Sequence, residues 1–311
     1  MRRALLAVAL GALVATALPA AAKPARERPV GPAKVRFARD FPKLVDSEWK
    51  FPMGGFGGVR RRAPRRHVPV IFVHGNVTDQ GDWYPVRDDF RAAGWTDQEL
   101  WGLSYNGIEA ENAIALTRMN PEAMAERREM GSDGHGRITE NDVNVADVYA
   151  FVRAVQAYTG SRRFSIVSHS LGVTVARKML KVHPELRRDL VAFVGIAGAN
   201  HGTSLCPPGT EGNSVSCDEI AAGTSWLAQL NGVDGRDETY GPARWLTIRD
   251  GSGATDPAFL ATYAESPQLR GAENRTYPGT YHNDLRLDPT IVRAYRLFLE
   301  DAERRSARTA S

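Results

Sequence analysis

The sequence predicts an α/β protein built on a mostly parallel sheet with helices on both faces. Three observations carry this. Apolar, β-branched runs such as VPVIFVHG (Val68 to Gly75) and LVAFVGIAGA (Leu190 to Ala199) are continuous rather than alternating, as in strands buried on both faces. Segments with helical spacing stand between these runs, the arrangement of crossover-connected parallel strands. The 311 residues are 42% hydrophobic and 24% charged, a balance that supports a substantial core.

The elements follow in order. Residues 1–22 (MRRALLAVALGALVATALPAAA) have the layout of a secretory signal. Arg2 and Arg3 precede an apolar run from Ala4 to Leu18, and Ala20 and Ala22 occupy cleavage positions. The run is short for a membrane span, so export and cleavage near Ala22 are expected, to the extracellular space or the periplasm. Residues 23–67 read as an extended N-terminal arm rich in Pro, Gly and Arg that packs through Trp49, Phe51 and Phe56. A catalytic domain is expected over 68–305 and a tail over 306–311. Its strands are expected at Val68–Gly75, Glu99–Asn106, Arg163–Ser170, Leu190–Ala199 and Ala243–Asp250, with a short sixth within Asn274–His282. Between the second and third, Asn141–Gly160 places Val145, Val148, Tyr149, Val152 and Val155 at helical spacing, and Gly160 ends the helix. A helix follows the third strand almost without a loop. Asp288 caps a closing helix with Pro289 in its first turn. The polar stretch 107–140 fits a lid or an ordinary insertion.

The formal charge of +4 falls to +2 once Arg2 and Arg3 leave with the signal, so the mature chain is nearly balanced. The basic cluster RRRAPRRH (Arg60 to His67) reads as a solvated run ahead of the first core strand. No segment interleaves aromatics with bases as a nucleic-acid module would, and none after the signal is long and apolar enough to span a bilayer. Nothing demands an oligomer, so a monomer is expected. Cys206 and Cys217 are the only cysteines. In an exported chain they are expected to close the intervening Pro/Gly-rich loop as a disulfide, the alternative being two free thiols. Two thiols do not complete a zinc shell, and no metal site is expected.

In open parallel sheets, functional groups gather beyond the carboxyl ends of the strands. Ser168-His169-Ser170-Leu171-Gly172 lies between a strand and a helix and follows the nucleophile-elbow pattern G-x-S-x-G, with Ser168 in place of the first glycine. The turn lifts the Ser170 hydroxyl out of the sheet, and the following helix N-terminus favours developing negative charge. The plainer reading is a serine that merely begins a helix. A serine nucleophile needs a positioned base. Of seven histidines, His282 has the expected place, last in chain order after the final strand. His67 lies in the arm, His135 in a Gly-rich loop, His183 at a helix end, and His169 beside the serine with its ring in the elbow's packing. His74 and His201 each follow a core strand. The acid should follow the fifth strand. Asp256 is favoured because a few extra residues ease the reach to His282; Asp250, at the strand end, is the alternative, or it ties down the loop through backbone amides. An oxyanion requires two backbone N–H donors, and Leu171 and Asn76 are the candidates.

Together VIFVHGN, SHSLG, GIAGANHGT and YPGTYHNDL resemble the α/β-hydrolase superfamily, and more narrowly secreted bacterial class 2 lipases and related extracellular polyhydroxyalkanoate depolymerases. The resemblance spans about Val68 to Glu300. It implies an eight-stranded sheet, an acyl-enzyme mechanism, ester substrates and no cofactor. It assigns Ser170 as nucleophile, His282 as base, Asp256 as acid and the Asn76 and Leu171 amides as oxyanion hole. It makes His201, in the ANHGT stretch, structural or site-lining. The expected activity is carboxylic-ester hydrolysis on a small-molecule, lipid or polymeric ester. A polyester depolymerase is the alternative, and a non-catalytic binding protein of the same fold the outsider.

Overall fold

Phe164–His169 and Leu190–Ile196 are the central strands, and every residue in both is buried. Side chains alternate between the faces of a strand, so complete burial means that both faces are covered. A computed structural model describes residues 36–47, 50, 52–58, 66–76, 78–105, 140–209, 215–232 and 237–309, all within the compact unit Pro32–Ser311. Residues 1–22, which the sequence predicts to be a secretory signal, Trp49, Phe51, Arg60 to Arg65, most of residues 107–140 and His135 lie outside the described residues.

The strands are β1 (Gly55–Phe56), β2 (Val70–Val73), β3 (Leu100–Leu103), β4 (Phe164–His169), β5 (Leu190–Ile196), β6 (Arg244–Arg249) and β7 (Glu273–Thr276). They form one sheet in the order β1-β3-β2-β4-β5-β6-β7. Only β1 runs antiparallel to its neighbour. The helices are α1 (Tyr84–Ala92), α2 (Asn141–Thr159), α3 (Leu171–Val182), α4 (Val215–Glu219), α5 (Ser225–Asn231), α6 (Asp284–Leu287) and α7 (Pro289–Thr309). Helices α2 and α3 pack on each other, α3 also on β2 and β4, and α7 packs on β5, β6 and α1.

All six strands expected from the sequence are present, within a few residues of their expected ends. The sheet has seven strands among the described residues, where the resemblance implied eight. The seventh comes from the N-terminal arm. FPMGGFGG is not only a packing segment, because Gly55 and Phe56 pair with Leu103 and Gly102 and extend the sheet edge. Phe56 is fully buried, as expected. Nearby Phe41 meets the rings of Phe37, Trp101, Phe151 and Tyr158, so the arm adds an aromatic cluster to the core. Helix α2 buries Val145, Val148, Val152 and Val155 and ends at Gly160 in the left-handed conformation (φ 66°). Asp288 caps α7, accepting from Thr290 N at 2.8 Å and Ile291 N at 3.2 Å. No helix among the described residues is long and apolar enough to cross a membrane.

The arm is also tied to α2 by a buried carboxylate. Ser47 N donates to Asp147 Oδ1 at 2.7 Å, while Oδ2 has no hydrogen-bond partner among the described residues. Burial pushes the Asp147 carboxyl up to about 6, against the Ser47 hydrogen bonds that lower it. A folded-state value above the ordinary carboxylate range means that the native state holds this proton longer than the unfolded chain does. The contribution therefore opposes folding progressively as pH rises from about 4 to about 6, and is constant above. Asp147→Asn keeps the Oδ1 acceptor and removes the charge. Its melting temperature should exceed that of the wild type at pH 8, and the difference should vanish near pH 4. A gap independent of pH would contradict this origin.

Candidate active site

The elbow is built by close packing. Ser170 follows β4 directly, with φ 55° and ψ −128°. A non-glycine residue there carries strain of about 1–3 kcal/mol, held by surrounding structure. Ser170 N donates to Ile196 O at 2.9 Å, and Val173 N donates to Ser170 O at 3.0 Å, locking the turn between β5 and α3. The Ser170 side chain makes no capping bond to its helix, so the plain helix-start reading leaves its hydroxyl without that role. Gly172 is required by proximity, since a Cβ there would lie 2.2 Å from His74 O. Ser168, in the pattern's first glycine position, is buried opposite Gly195 and donates to Val194 O at 3.2 Å, so a small residue with a satisfied hydroxyl fits.

The loop after β2 comes against the serine. A Cβ at Gly75 would stand 2.9 Å from Ser170 Cβ, so glycine alone permits this approach. Tyr105 OH donates to His74 O at 2.8 Å, and the His74 and Tyr105 rings stack at 4.0 Å. His74 thus supports the loop carrying Asn76. Asn76 Oδ1 is buried with no hydrogen-bond partner among the described residues.

His282 lies after β7, between Tyr281 and α6. Its Nδ1 is 3.0 Å from Asp256 Oδ2, with the histidine side chain 17% exposed and the aspartate 1%. The other Asp256 oxygen accepts from Ala258 N at 2.9 Å. A carboxylate on Nδ1 fixes that nitrogen as the N–H and leaves Nε2 as the basic one. Asp250 is occupied elsewhere. One oxygen accepts from Gly279 N at 2.6 Å and Thr280 N at 3.2 Å, and the other from Ser252 N at 3.0 Å and the Ser252 hydroxyl. Burial pushes this carboxyl up, but these bonds outweigh it and hold the group below its ordinary range. Asp250 thereby fastens the loop that ends at His282, the second use expected for it.

The remaining described histidines have other partners. His67 stacks on Trp95 at 3.9 Å and meets Glu303 at 2.8 Å; His183 stacks on Tyr149 at 3.6 Å. His201 Nδ1 is 2.9 Å from Ser266 O and its Nε2 is 3.1 Å from Glu238. Behind it the buried Arg177 donates to Glu238 O, Asn200 Oδ1 and Asn231 Oδ1 at 2.9–3.1 Å. The ANHGT stretch is thus braced by a hydrogen-bond network. Cys206 and Cys217 form the expected disulfide, with Cα atoms 5.4 Å apart. No group of three or more metal-ligating side chains occurs among the described residues.

The sequence predicts only a packing role for the His169 ring. In the structure its Nε2 is 3.1 Å from His282 O, and the two rings are 4.6 Å apart. The only signal in the sequence was adjacency to Ser170.

The chain matches the family model described as Lipase (class 2) over residues 67–132 and 128–243. Ser170 lies inside the matched region and Asp256 and His282 beyond it. Among solved structures it is similar to Aspergillus fumigatus lipase B, with 19% identity and a TM-score of 0.50 over 70% of this chain and 49% of that one. It thus spans about half the length of that lipase. It is also similar to Bacillus licheniformis lipase BlEst2 in its mature form, with 14% identity and a TM-score of 0.55 over 79% of this chain and 97% of that one. Comparison with curated proteins finds no match. The sheet order, the crossover helices and these structural likenesses define an α/β-hydrolase fold, and with more than half its length matched the chain belongs to the class 2 lipase family.

Proposed function

We propose that this lipase-family protein is an exported serine carboxylic-ester hydrolase working through Ser170, His282 and Asp256. The observation that carries the reading is the Asp256–His282 hydrogen bond in the loops beside a strained serine elbow. In the first step His282 Nε2 takes the Ser170 proton as Oγ attacks the ester carbonyl. The negative charge that develops on the carbonyl oxygen is met by the Leu171 and Asn76 amides, with the α3 N-terminus behind them. The imidazolium then returns its proton to the leaving alcohol. Water enters by the same route and releases the acid from Ser170, while Asp256 stays ionised and holds the ring.

Apolar side chains at the same end of the sheet support an ester with an apolar acyl part. Leu205 is 61% exposed, Leu260 39% and Tyr281 64%, on the loops that follow β5, β6 and β7. Ser204 Oγ accepts from Leu260 N at 2.7 Å, so Leu205 and Leu260 belong to adjoining loops. The disulfide and the N-terminal segment Met1 to Ala22 support export. The test is hydrolysis of nitrophenyl esters from acetyl to palmitoyl. Activity rising from acetyl to medium or long chains is expected, and absence of hydrolysis across the series would contradict the reading.

A further inference from the structure

We propose that His169 is a positioning residue that holds the main chain of His282 over the Ser170 elbow. The proposal rests on the assignment of His282 as the base.

The geometry starts from β4. His169 is its last residue and is 2% exposed, wedged between two loops that must meet at Ser170. On one side its Nε2 lies 3.1 Å from the His282 carbonyl oxygen. On the other, its Nδ1 faces the loop after β2: a Cβ at Gly75 would stand 3.3 Å from it. A carbonyl oxygen only accepts, so Nε2 must carry hydrogen. Nδ1 has no hydrogen-bond partner among the described residues, so nothing there repays a second proton. Burial first, then the nearby His282, Arg286 and His74, keep the ring neutral. The state that fits is the neutral Nε2–H tautomer, donating to His282 O.

This gives His282 two anchors with different jobs. Asp256 fixes the rotation of the ring through Nδ1. His169 fixes the height of the backbone from which the ring hangs. Tyr281, the preceding residue, is 64% exposed, so apolar packing on that side does not do this work. Small misplacements of a catalytic group cost as much as 100-fold in rate, which sets the scale of the expected effect.

The test compares His169→Phe with His169→Gln. Phenylalanine keeps ring volume and loses the donor. Glutamine loses the ring but carries an amide N–H at nearly the reach of Nε2. The expected result is a fall of about 10–100-fold in kcat for His169→Phe, with KM changed by less than about 2-fold, and recovery of most of that loss in His169→Gln. If packing were the role, phenylalanine would be the better substitute, and that order would overturn the proposal. Should neither variant fold, nitrogen-15 NMR of the wild type decides. A His169 Nε2–H tautomer at pH 7 is expected, and an Nδ1–H tautomer or an imidazolium would overturn it. Failure of the underlying assignment is seen separately, as retained activity in His282→Ala.

Discussion

Ser170→Ala is expected to lower kcat for nitrophenyl ester hydrolysis by about 10⁴–10⁶-fold while leaving the protein folded. The loss is large because nucleophile and base act as a unit, and residual rate then comes only from binding and oxyanion stabilisation. The fold should tolerate the change. Alanine at φ 55° and ψ −128° bears the same backbone strain as serine, and the Ser170 side chain makes no capping bond that would be lost. The melting temperature should therefore stay close to that of the wild type. Retained activity in a folded variant would remove Ser170 from the chemistry.

The second large effect separates two aspartates six residues apart. Asp256→Asn should lower kcat by about 10⁴-fold with little loss of stability. Asparagine can keep the bond to Ala258 N, but its amide N–H presented to His282 Nδ1 favours the wrong tautomer. Asp250→Asn should do the reverse. Asp250 accepts from Ser252, Gly279 and Thr280, and one asparagine amide group would set a donor against a donor. A loss of about 1–3 kcal/mol is expected, because a buried amide is left unpaired. Activity should fall less than about 10-fold, through a looser His282 loop. Measured kcat and melting temperature for both variants check this, and an inactive, stable Asp250→Asn would exchange the two assignments.

The parts of the fold legible in the sequence are those where one segment carries its own signal. Strands β2 and β5 are continuous apolar runs because both of their faces are buried, and the α2 valines repeat at helical spacing because one face of that helix packs on the core. Strand β1 was hidden because two residues of a glycine-rich stretch become a strand only by pairing with Leu103 and Gly102, far along the chain. Helix α1 carries a faint sequence signal although Pro85 stands at its start and Val86 and Phe90, four apart, are both buried. Its other residues are mostly polar, so nine residues gave a weak period.

The site divides in the same way. The Ser170 elbow is local, and the order of strands placed His282 and an aspartate after it. Which aspartate reaches His282 depends on how the turn from Gly251 to Thr255 folds back, and spacing does not encode that. Asp250 turns inward onto the amides of 252, 279 and 280, which leaves Asp256 for the imidazole. The contact between His169 and His282 joins residues 113 apart in sequence, and nothing local announces it.

The central claim is that Ser170 is the nucleophile. The most direct measurement is mass spectrometry of the active protein after inactivation by a serine-reactive alkyl phosphonate. The account predicts one adduct per chain, on the peptide containing Ser170, with loss of activity in proportion to labelling. An adduct on another residue, or inactivation without modification of Ser170, would contradict it.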